Sequence, residues 1–512
     1  MPNGGTNDLT RPSGPVSTII LAAGEGTRMR SAVPKVLHRI AGRTLVDHAV
    51  RAVAGIGPDH LVVVVGHGRE QVTEHLTEVA KTAGIAITVA CQERQRGTGD
   101  AVSCALAELP ADQAGTVLVS YGDVPLLTTD TLHALLAAHA DGGFGATVLT
   151  AVVADPTGYG RIIRDDDGRV TGIVEQADAT VAQRAITEIN SGVYAFDAAV
   201  LRRALAELST DNTQGELYLT DVLGIARAAG LPIGALACTD VWQVEGVNDR
   251  VQLAGLGAEL NRRLVRHWMR AGVTMIDPST TWLDADVELA RDVVLAPGVQ
   301  LRGTTTVGEG AEIGPDTTLT DVTVGAGATV VRTHGSDAWI GPDATVGPFA
   351  YLRAGTRLGD GGKIGTFVEV KNSEIGAGTK VPHLSYVGDA TIGEHSNIGA
   401  ASVFVNYDGV HKHRSVVGSY VRTGSDNMFV APITVGDGAY SGAGTVLRRN
   451  VPPGALAVSG GPQRNIENWV LRRRAGTASA AAAQRALELS AGQAEHTRAE
   501  TDGGDKGEDL RT

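Results

Sequence analysis

Three features of this 512-residue chain predict two folds in tandem, an open α/β sheet followed by a parallel β-helix of six-residue repeats. The first is a Gly-rich loop, Leu21-Ala-Ala-Gly-Glu-Gly-Thr-Arg-Met29, directly after an apolar run. The second is an alternation of short β-branched runs with helical stretches that lasts to about Val247. The third is an aliphatic residue at every sixth position, often followed by Gly, through Ile340, Val346, Leu352, Leu358, Ile364 and Val370.

In chain order, residues 1–15 read as a disordered leader rich in Gly, Pro, Asn and Thr. Val16–Ala23, Leu61–Val65, Ile85–Ala90 and Val117–Ser120 are short and β-branched, hence strands. Leu45–Ala54, Glu70–Thr82 and Asp130–His139 read as the helices between them. Such alternation implies a parallel sheet with helices on both faces, over residues 16–249. Leu253, Leu256, Leu260, Leu264 and Trp268 then recur at helical spacing and predict an amphipathic linker helix within 250–272.

The repeat opens at Val307, Ile313 and Leu319 and holds register from Ile340 to Val370. A five-residue step leads to Ile375, Val381 and Val387, and another to Ile392, Ile398 and Phe404. After an insertion, Val417, Thr423, Phe429, Val435, Ser441 and Leu447 resume it. A helix cannot bury single residues at a period of six, whereas stacked coils of short strands share one continuous core. This domain is expected over 273–470. The segment 471–512 reads as a mobile low-complexity tail in which Ala480–Leu489 is compatible with a helix.

Composition excludes several classes. A net charge of −13 disfavours a nucleic-acid partner. Hydrophobic residues at 43% suffice for cores, and 4% aromatics with 66 Gly suit a narrow interior of Val, Ile, Leu and Ala. Cys91, Cys104 and Cys238 are too few and too scattered for a disulfide framework or a zinc site. No signal-peptide pattern opens the chain, and no run approaches the roughly 18 apolar residues of a spanning helix. A cytoplasmic protein without a membrane or nucleic-acid partner is expected.

The loop after the first strand lacks the third Gly of a dinucleotide fingerprint, since Met29 stands there, and lacks the Gly-Lys-Ser/Thr of a Walker loop. What remains is backbone N–H groups aimed at phosphates, with Arg28 and Lys35 supplying positive charge. Glu25, between the glycines, is expected to point away. Asp123, just past a strand's C-terminal end, lies where open α/β sheets place ligands, although a turn-forming Asp is the plainer reading.

Gly24-x-Gly-Thr-Arg-Met29 with Pro34-Lys35 resembles the sugar-phosphate nucleotidyltransferases. Gln92, Gly97-Thr98, Tyr121-Gly122-Asp123, Thr157-Gly-Tyr-Gly160-Arg161, Glu175, Asn190 and Val244-Glu-Gly-Val-Asn248 follow in that family's order. With the repeat behind it, the chain resembles the bifunctional N-acetylglucosamine-1-phosphate uridyltransferase and glucosamine-1-phosphate N-acetyltransferase family over about residues 16–470. The resemblance implies a Rossmann-like nucleotidyltransferase domain and a left-handed hexapeptide β-helix that assembles as a homotrimer. It implies UTP and sugar contacts at Leu21, Ala22, Ala23, Gly24, Arg28, Lys35, Gln92, Gly97, Thr98, Tyr121, Gly122, Asp123, Gly160, Glu175, Asn190 and Asn248. Asp123 and Asn248 would hold Mg²⁺, which takes few protein oxygens when phosphates are present. The implied product is UDP-N-acetylglucosamine for peptidoglycan and other envelope synthesis.

Repeat geometry adds an independent inference. Arg353 and Lys371 are 18 residues apart, three hexapeptides, and so stack on adjacent coils about 4.8 Å apart. Like charges that close call for an anion between them, unless both side chains diverge into water. His383 falls in the turn leading onto that face, with Tyr386, Asn406 and Tyr407 on or beside it.

The resemblance makes Arg353, Lys371, Tyr386 and Asn397 ligands of glucosamine 1-phosphate and His383 the base for acetyl transfer; Glu369 is expected to orient the imidazole or to stabilise its charge. It assigns acetyl-CoA, the co-substrate, to Ala400, Asn406, Tyr407, Ser425 and Ala443. Gly460 departs from the family's coenzyme-contacting Arg, leaving Arg448, Arg449 or Arg464 for that charge. Ala401 replaces a usual Gly, and His411-Lys-His-Arg414 is a basic insertion. Two other readings stay open: a nucleotidyltransferase whose solenoid serves only assembly or regulation, and a non-catalytic scaffold.

Overall fold

The computed structural model describes residues 14–461 and 463–502, with side chains to 493. The leader expected over 1–15 lies outside the described residues through residue 13. Pro15 already belongs to the fold, its carbonyl accepting from the Thr116 N–H at 3.0 Å. The chain forms two compact units, dividing between Ala457 and Val458.

The first unit opens with Val16–Ala22, buried along its whole length and central in its sheet. The main path of that sheet runs Ile233–Ala237, Ala146–Val152, Glu188–Asp197, Thr116–Tyr121, Val16–Ala22, His60–Val65, Thr88–Cys91. Its parallel character is broken at one place, because Glu188–Asp197 runs antiparallel to both neighbours. The chain reaches that strand through a hairpin, Arg161–Arg164 with Val170–Val174, and the four-residue helix Val181–Arg184. Without a full crossover helix the strand returns in the opposite direction.

Helix Leu45–Ala54 falls where expected, and Arg69–Ala83 and Thr129–Gly142 extend the other two. The strand expected over Ile85–Ala90 is Thr88–Cys91. A further helix, Thr98–Ala107, stands where only a ligand segment was expected. From Val16–Ala22 the chain first builds outward through His60–Val65 and later adds Thr116–Tyr121 on the opposite side. The crevice between diverging strand ends at such a reversal is where open sheets bind ligands.

Helix Arg250–Arg270 follows, capped by the Asp249 carboxylate, which accepts from the Val251 and Gln252 N–H groups at 2.9 Å. Its apolar stripe, Leu256, Leu260, Leu264 and Trp268, is buried in the same core as the first coils. Asn261 pins it there, donating to Thr281 O at 2.8 Å and accepting from Leu283 N at 2.9 Å.

The second half is the parallel β-helix that the hexapeptide period predicts, left-handed as the resemblance implies. It begins before Val307: Leu283, Leu289, Leu295 and Leu301 are already buried in step. These coils lie inside the expected 273–470, but their register is not marked in the sequence because the Gly after the aliphatic residue is missing there. Three columns of parallel pairing carry the coils, represented by Val346↔Ile364, Leu352↔Val370 and Leu358↔Ile375. The column through Lys380, Asn397, Arg422 and Tyr440 continues as single bridges to the last pair, Tyr440–Ser441 with Leu456–Ala457.

In the second unit, Trp469–Arg473 and Ala478–Asp502 are helices. The segment expected as a mobile low-complexity tail is therefore helical well past Ala480–Leu489, in keeping with its run of strong helix formers. Residues 503–512 lie outside the described residues. Among the described residues no helix is long and apolar enough to cross a membrane.

Phe404 and Phe429 stack in the solenoid core with ring centroids 4.3 Å apart, and both are fully buried. Phe404→Ala should cost about 3–5 kcal/mol in urea unfolding, whereas Val416→Ala on the exposed face should stay within about 0.5 kcal/mol.

Candidate functional site

At the C-terminal ends of Val16–Ala22 and Thr116–Tyr121 the two loops meet, the Gly122 N–H donating to Leu21 O at 2.9 Å. The phosphate loop continues through Gly26 (φ 63°) into the turn Thr27–Met29. A side chain at Gly26 would place its Cβ 2.6 Å from Lys35 Cβ, so the glycine lets Lys35 close over the loop. The Lys35 ammonium donates to the Asp123 carboxylate, joining the expected phosphate-binding cation to the expected metal ligand. Glu25 and Arg28 are exposed.

The Val247 N–H donates to Asp123 O at 2.9 Å, which sets Asn248 beside the Asp123 loop. Arg250 then reaches back to Met29 O at 3.4 Å and His38 Nδ1 at 3.3 Å. Among the described residues no group of three or more His, Cys, Asp or Glu side chains could hold a metal. The donor set at hand, one carboxylate and one amide oxygen, fits a Mg²⁺ that keeps water and phosphate ligands.

Gly160, Glu175 and Asn190 do come together. A Cβ at Gly160 would lie 3.3 Å from Glu175 Oε1 and 3.4 Å from Asn190 Cβ, and Asn190 N donates to Gly160 O at 2.9 Å. Burial raises the Glu175 carboxyl above its ordinary range. Tyr121 packs against Gly192, and burial likewise raises its phenol. Gln92 lines a cavity of about 440 Å³ together with Glu25, Gly66, Arg69 and Cys91. A larger cavity, about 770 Å³ and lined by Arg43, His48, Leu126 and Arg263, holds none of the expected ligands.

On the solenoid, Leu352 pairs with Val370, so Arg353 and Lys371 stack one coil apart as inferred. Their charges are compensated within the chain. Arg353 donates to Glu369 at 2.9 Å, and Lys371 contacts both Asp389 oxygens at 3.1–3.2 Å. Glu369 is thus engaged by Arg353.

His383 closes the strand Lys380–His383, at the opposite end of the same short face. Tyr386 lies between, its hydroxyl 3.3 Å from Asn406 Nδ2. A second column climbs from His383 along the corner: Ala401 N donates to His383 O, Asp426 N to Ala400 O, and Gly444 N to Ser425 O. Ala400, Ser425 and Ala443 therefore stack above His383 on successive coils.

Asn397 departs from the group. It bridges to Lys380 and Arg422 on the neighbouring face, away from Arg353 and Lys371. Tyr407 is 55% exposed and donates to Gly409 O within the insertion, where His413 pairs with Asp408 at 2.7 Å. Arg448 and Arg449 are exposed in the first unit, whereas Gly460 and Arg464 belong to the second.

One residue was missed by the sequence reading. Asp389 is 7% exposed and accepts from Lys371, from Asn372 at 2.7 Å and from Asn406 at 2.5 Å. Asp321, Asp337, Asn372 and Asp389 all take positive φ at corresponding corners, so in sequence Asp389 looks like a turn former. Its three side-chain donors set it apart.

The chain matches the family model of nucleotidyl transferases over residues 17–249. It is 64% identical to the bifunctional protein GlmU of Kineococcus radiotolerans over 493 residues, covering 96% of this chain and 99% of that protein. The bifunctional protein GlmU of Nocardia farcinica is 64% identical over 92% of this chain and 96% of its own length. That of Mycolicibacterium vanbaalenii is 64% identical over 91% and 94%.

Burial works to raise the Asp389 carboxyl, but its donors Asn372, Lys371 and Asn406 outweigh it and hold it below the ordinary range. A carboxylate lowered by folding stabilises above its unfolded pKa and loses that contribution as pH falls through its folded value. Asp389→Asn should therefore cost about 1–3 kcal/mol at pH 7. The gap to the wild type should narrow as pH falls below about 4, as urea unfolding across that range would measure.

Proposed function

The chain belongs to the family of bifunctional GlmU proteins, and on that premise we propose how its two sites divide the work of making UDP-N-acetylglucosamine. It is an acetyltransferase acting on glucosamine 1-phosphate and a uridylyltransferase acting on the acetylated product. Residues 16–249 carry uridylyl transfer, 273–470 carry acetyl transfer, and helix Arg250–Arg270 joins them.

In the first site the sugar 1-phosphate attacks the α-phosphorus of UTP and pyrophosphate leaves. A phosphate dianion is already a nucleophile, so alignment and charge neutralisation carry the step. Arg28 and Lys35 neutralise the triphosphate, while Gly160, Glu175 and Asn190 hold the sugar. When bound to Asp123 and Asn248, Mg²⁺ supplies further neutralisation of the phosphates. The Lys35–Asp123 contact carries this reading, because it sets cation and metal ligand at one point beside the phosphate loop.

In the second site, Arg353 and Lys371 hold the phosphate of glucosamine 1-phosphate at one end of the solenoid face. His383 at the other end takes a proton from the amino group as that nitrogen attacks the acetyl-CoA thioester carbon; the C–S bond then breaks and the imidazolium returns the proton to the departing coenzyme thiolate, giving the thiol. The small residues stacked above His383 let the pantetheine arm run along the corner. All three cysteines lie in the first domain, which disfavours an acyl-cysteine intermediate. Asn397 on the adjacent face supports a trimer in which it serves a neighbouring copy.

Asp123→Asn should reduce UTP-dependent pyrophosphate release at least about 100-fold and leave thiol release from acetyl-CoA nearly intact. His383→Ala should do the reverse, with a loss of about 100-fold or more in acetyl transfer. If wild-type enzyme that is active on UTP released no thiol with glucosamine 1-phosphate, the solenoid would be an assembly device. Loss of both activities in either folded variant would refute the division of sites.

A further inference from the structure

The direction in which the Gln92 amide faces decides which base it accepts. A primary amide presents two donors on one side and an acceptor on the other. Uracil carries a donor at N3, whereas cytosine carries an acceptor there.

In this chain Gln92 Nε2 donates to Asp100 Oδ2 at 2.8 Å and to Gly97 O at 3.1 Å. A carboxylate and a carbonyl can only accept, so turning the amide over would set its oxygen against two others. The assignment follows from chemistry rather than from fit. Both amide hydrogens are used, and Oε1 is the atom left to meet a ligand. Gln92 itself is 5% exposed and tied through its N–H to Val65 O at 2.8 Å.

Asp100 is held as firmly. It stands in the first turn of Thr98–Ala107, where a carboxylate complements the helix dipole. The start of that turn is fastened on three sides. Gly99 N donates to Leu217 O at 2.8 Å, Leu219 N donates to Thr98 Oγ1 at 3.0 Å, and a Cβ at Gly97 (φ 110°) would come within 2.5 Å of Leu217 O.

We propose that Asp100 is the positioning residue that sets pyrimidine choice, locking Gln92 with its acceptor toward the base so that uracil is taken and cytosine refused. The proposal rests on reading the cleft lined by Gln92 as the uridine subsite. An acceptor facing the acceptor at cytosine N3 leaves both unpaired, a penalty that amounts to about 10- to 100-fold in binding.

The test is pyrophosphate release from UTP and from CTP with N-acetylglucosamine 1-phosphate, for full-length wild type, Asp100→Asn, Asp100→Ala and Asp100→Glu. Asparagine can offer its own N–H₂ to a reversed Gln92, and alanine removes the charged and nearer of its two acceptors, leaving Gly97 O alone. In both, the UTP-to-CTP ratio of kcat/KM should fall about 10-fold or more. Glutamate retains an acceptor and should keep the ratio, and acetyl transfer should be unchanged in all three. Equal losses on both nucleotides, with the ratio unmoved, would mean a merely structural Asp100 and overturn the proposal. If the asparagine variant fails to fold, the alanine variant decides by the same ratio. A wild type inactive on UTP would instead sink the uridylyl reading beneath it.

Discussion

In-register stacking of the coils is the constraint from which the second half of the molecule follows. Every inward aliphatic residue must sit above its counterpart, as Val370 does against Leu352 and Val387 against Val370. Because the inner column is fixed, so is every outer one, and chemistry on this surface is arranged in columns rather than in loops. Arg353 and Lys371 are forced together for that reason, and Glu369 and Asp389 on the same face relieve the repulsion. The same rule stacks Ala400, Ser425 and Ala443 above His383.

The first half solves a different problem. A twisted sheet offers no columns at its surface but does offer strand ends, and two of them diverge where the strand order reverses. The loops after Val16–Ala22 and Thr116–Tyr121 fill that crevice and are tied by the Gly122–Leu21 hydrogen bond. Asn248 arrives from far along the chain, held by Val247 against Asp123 just before the linker helix starts. That helix touches the phosphate loop through Arg250 and the first coils through Asn261, so one rigid element meets both halves.

What could be read in the sequence was whatever repeats or has local form. The hexapeptide period, the glycine loop and the helix Leu45–Ala54 are of this kind, and so is the 18-residue spacing of Arg353 and Lys371. Antiparallel Glu188–Asp197 was not read from the sequence: the Asp167-Gly168 turn marks the preceding hairpin, but the direction of the later strand depends on the whole connection from Arg161 to Ile186. The register was read only from Val307, although the domain was expected from 273, because the earlier aliphatic residues lack the following Gly. Asp389 and Asp100 were hidden for another reason: each resembles a common local device, a corner turn or a first-turn helix acid. Only the spatial neighbours Lys371, Asn406 and Gln92 reveal otherwise. Glu369 was expected to orient or charge-stabilise His383, and its contact with Arg353 was not foreseen.

An acidic protein that handles polyanions must keep its cations both available and tolerable. Here three of the cations near the sites are paired in place: Lys35 with Asp123, Arg353 with Glu369, Lys371 with Asp389. Lone stacked cations would repel each other, while cations buried in full ion pairs would be closed to a ligand. The solenoid pairs avoid both extremes. The Arg353 and Glu369 side chains remain 42% and 39% exposed, so on the proposed reading a phosphate would exchange partners there with little desolvation. Lys371 and Asp389 are more enclosed, at 19% and 10%, and that carboxylate is also fastened to Asn372 and Asn406. On the proposed reading Asp389 would stay in place while Lys371, already positioned by it, added a phosphate contact. Affinity for an anion then depends on how each carboxylate is anchored, not on the sign of the whole surface.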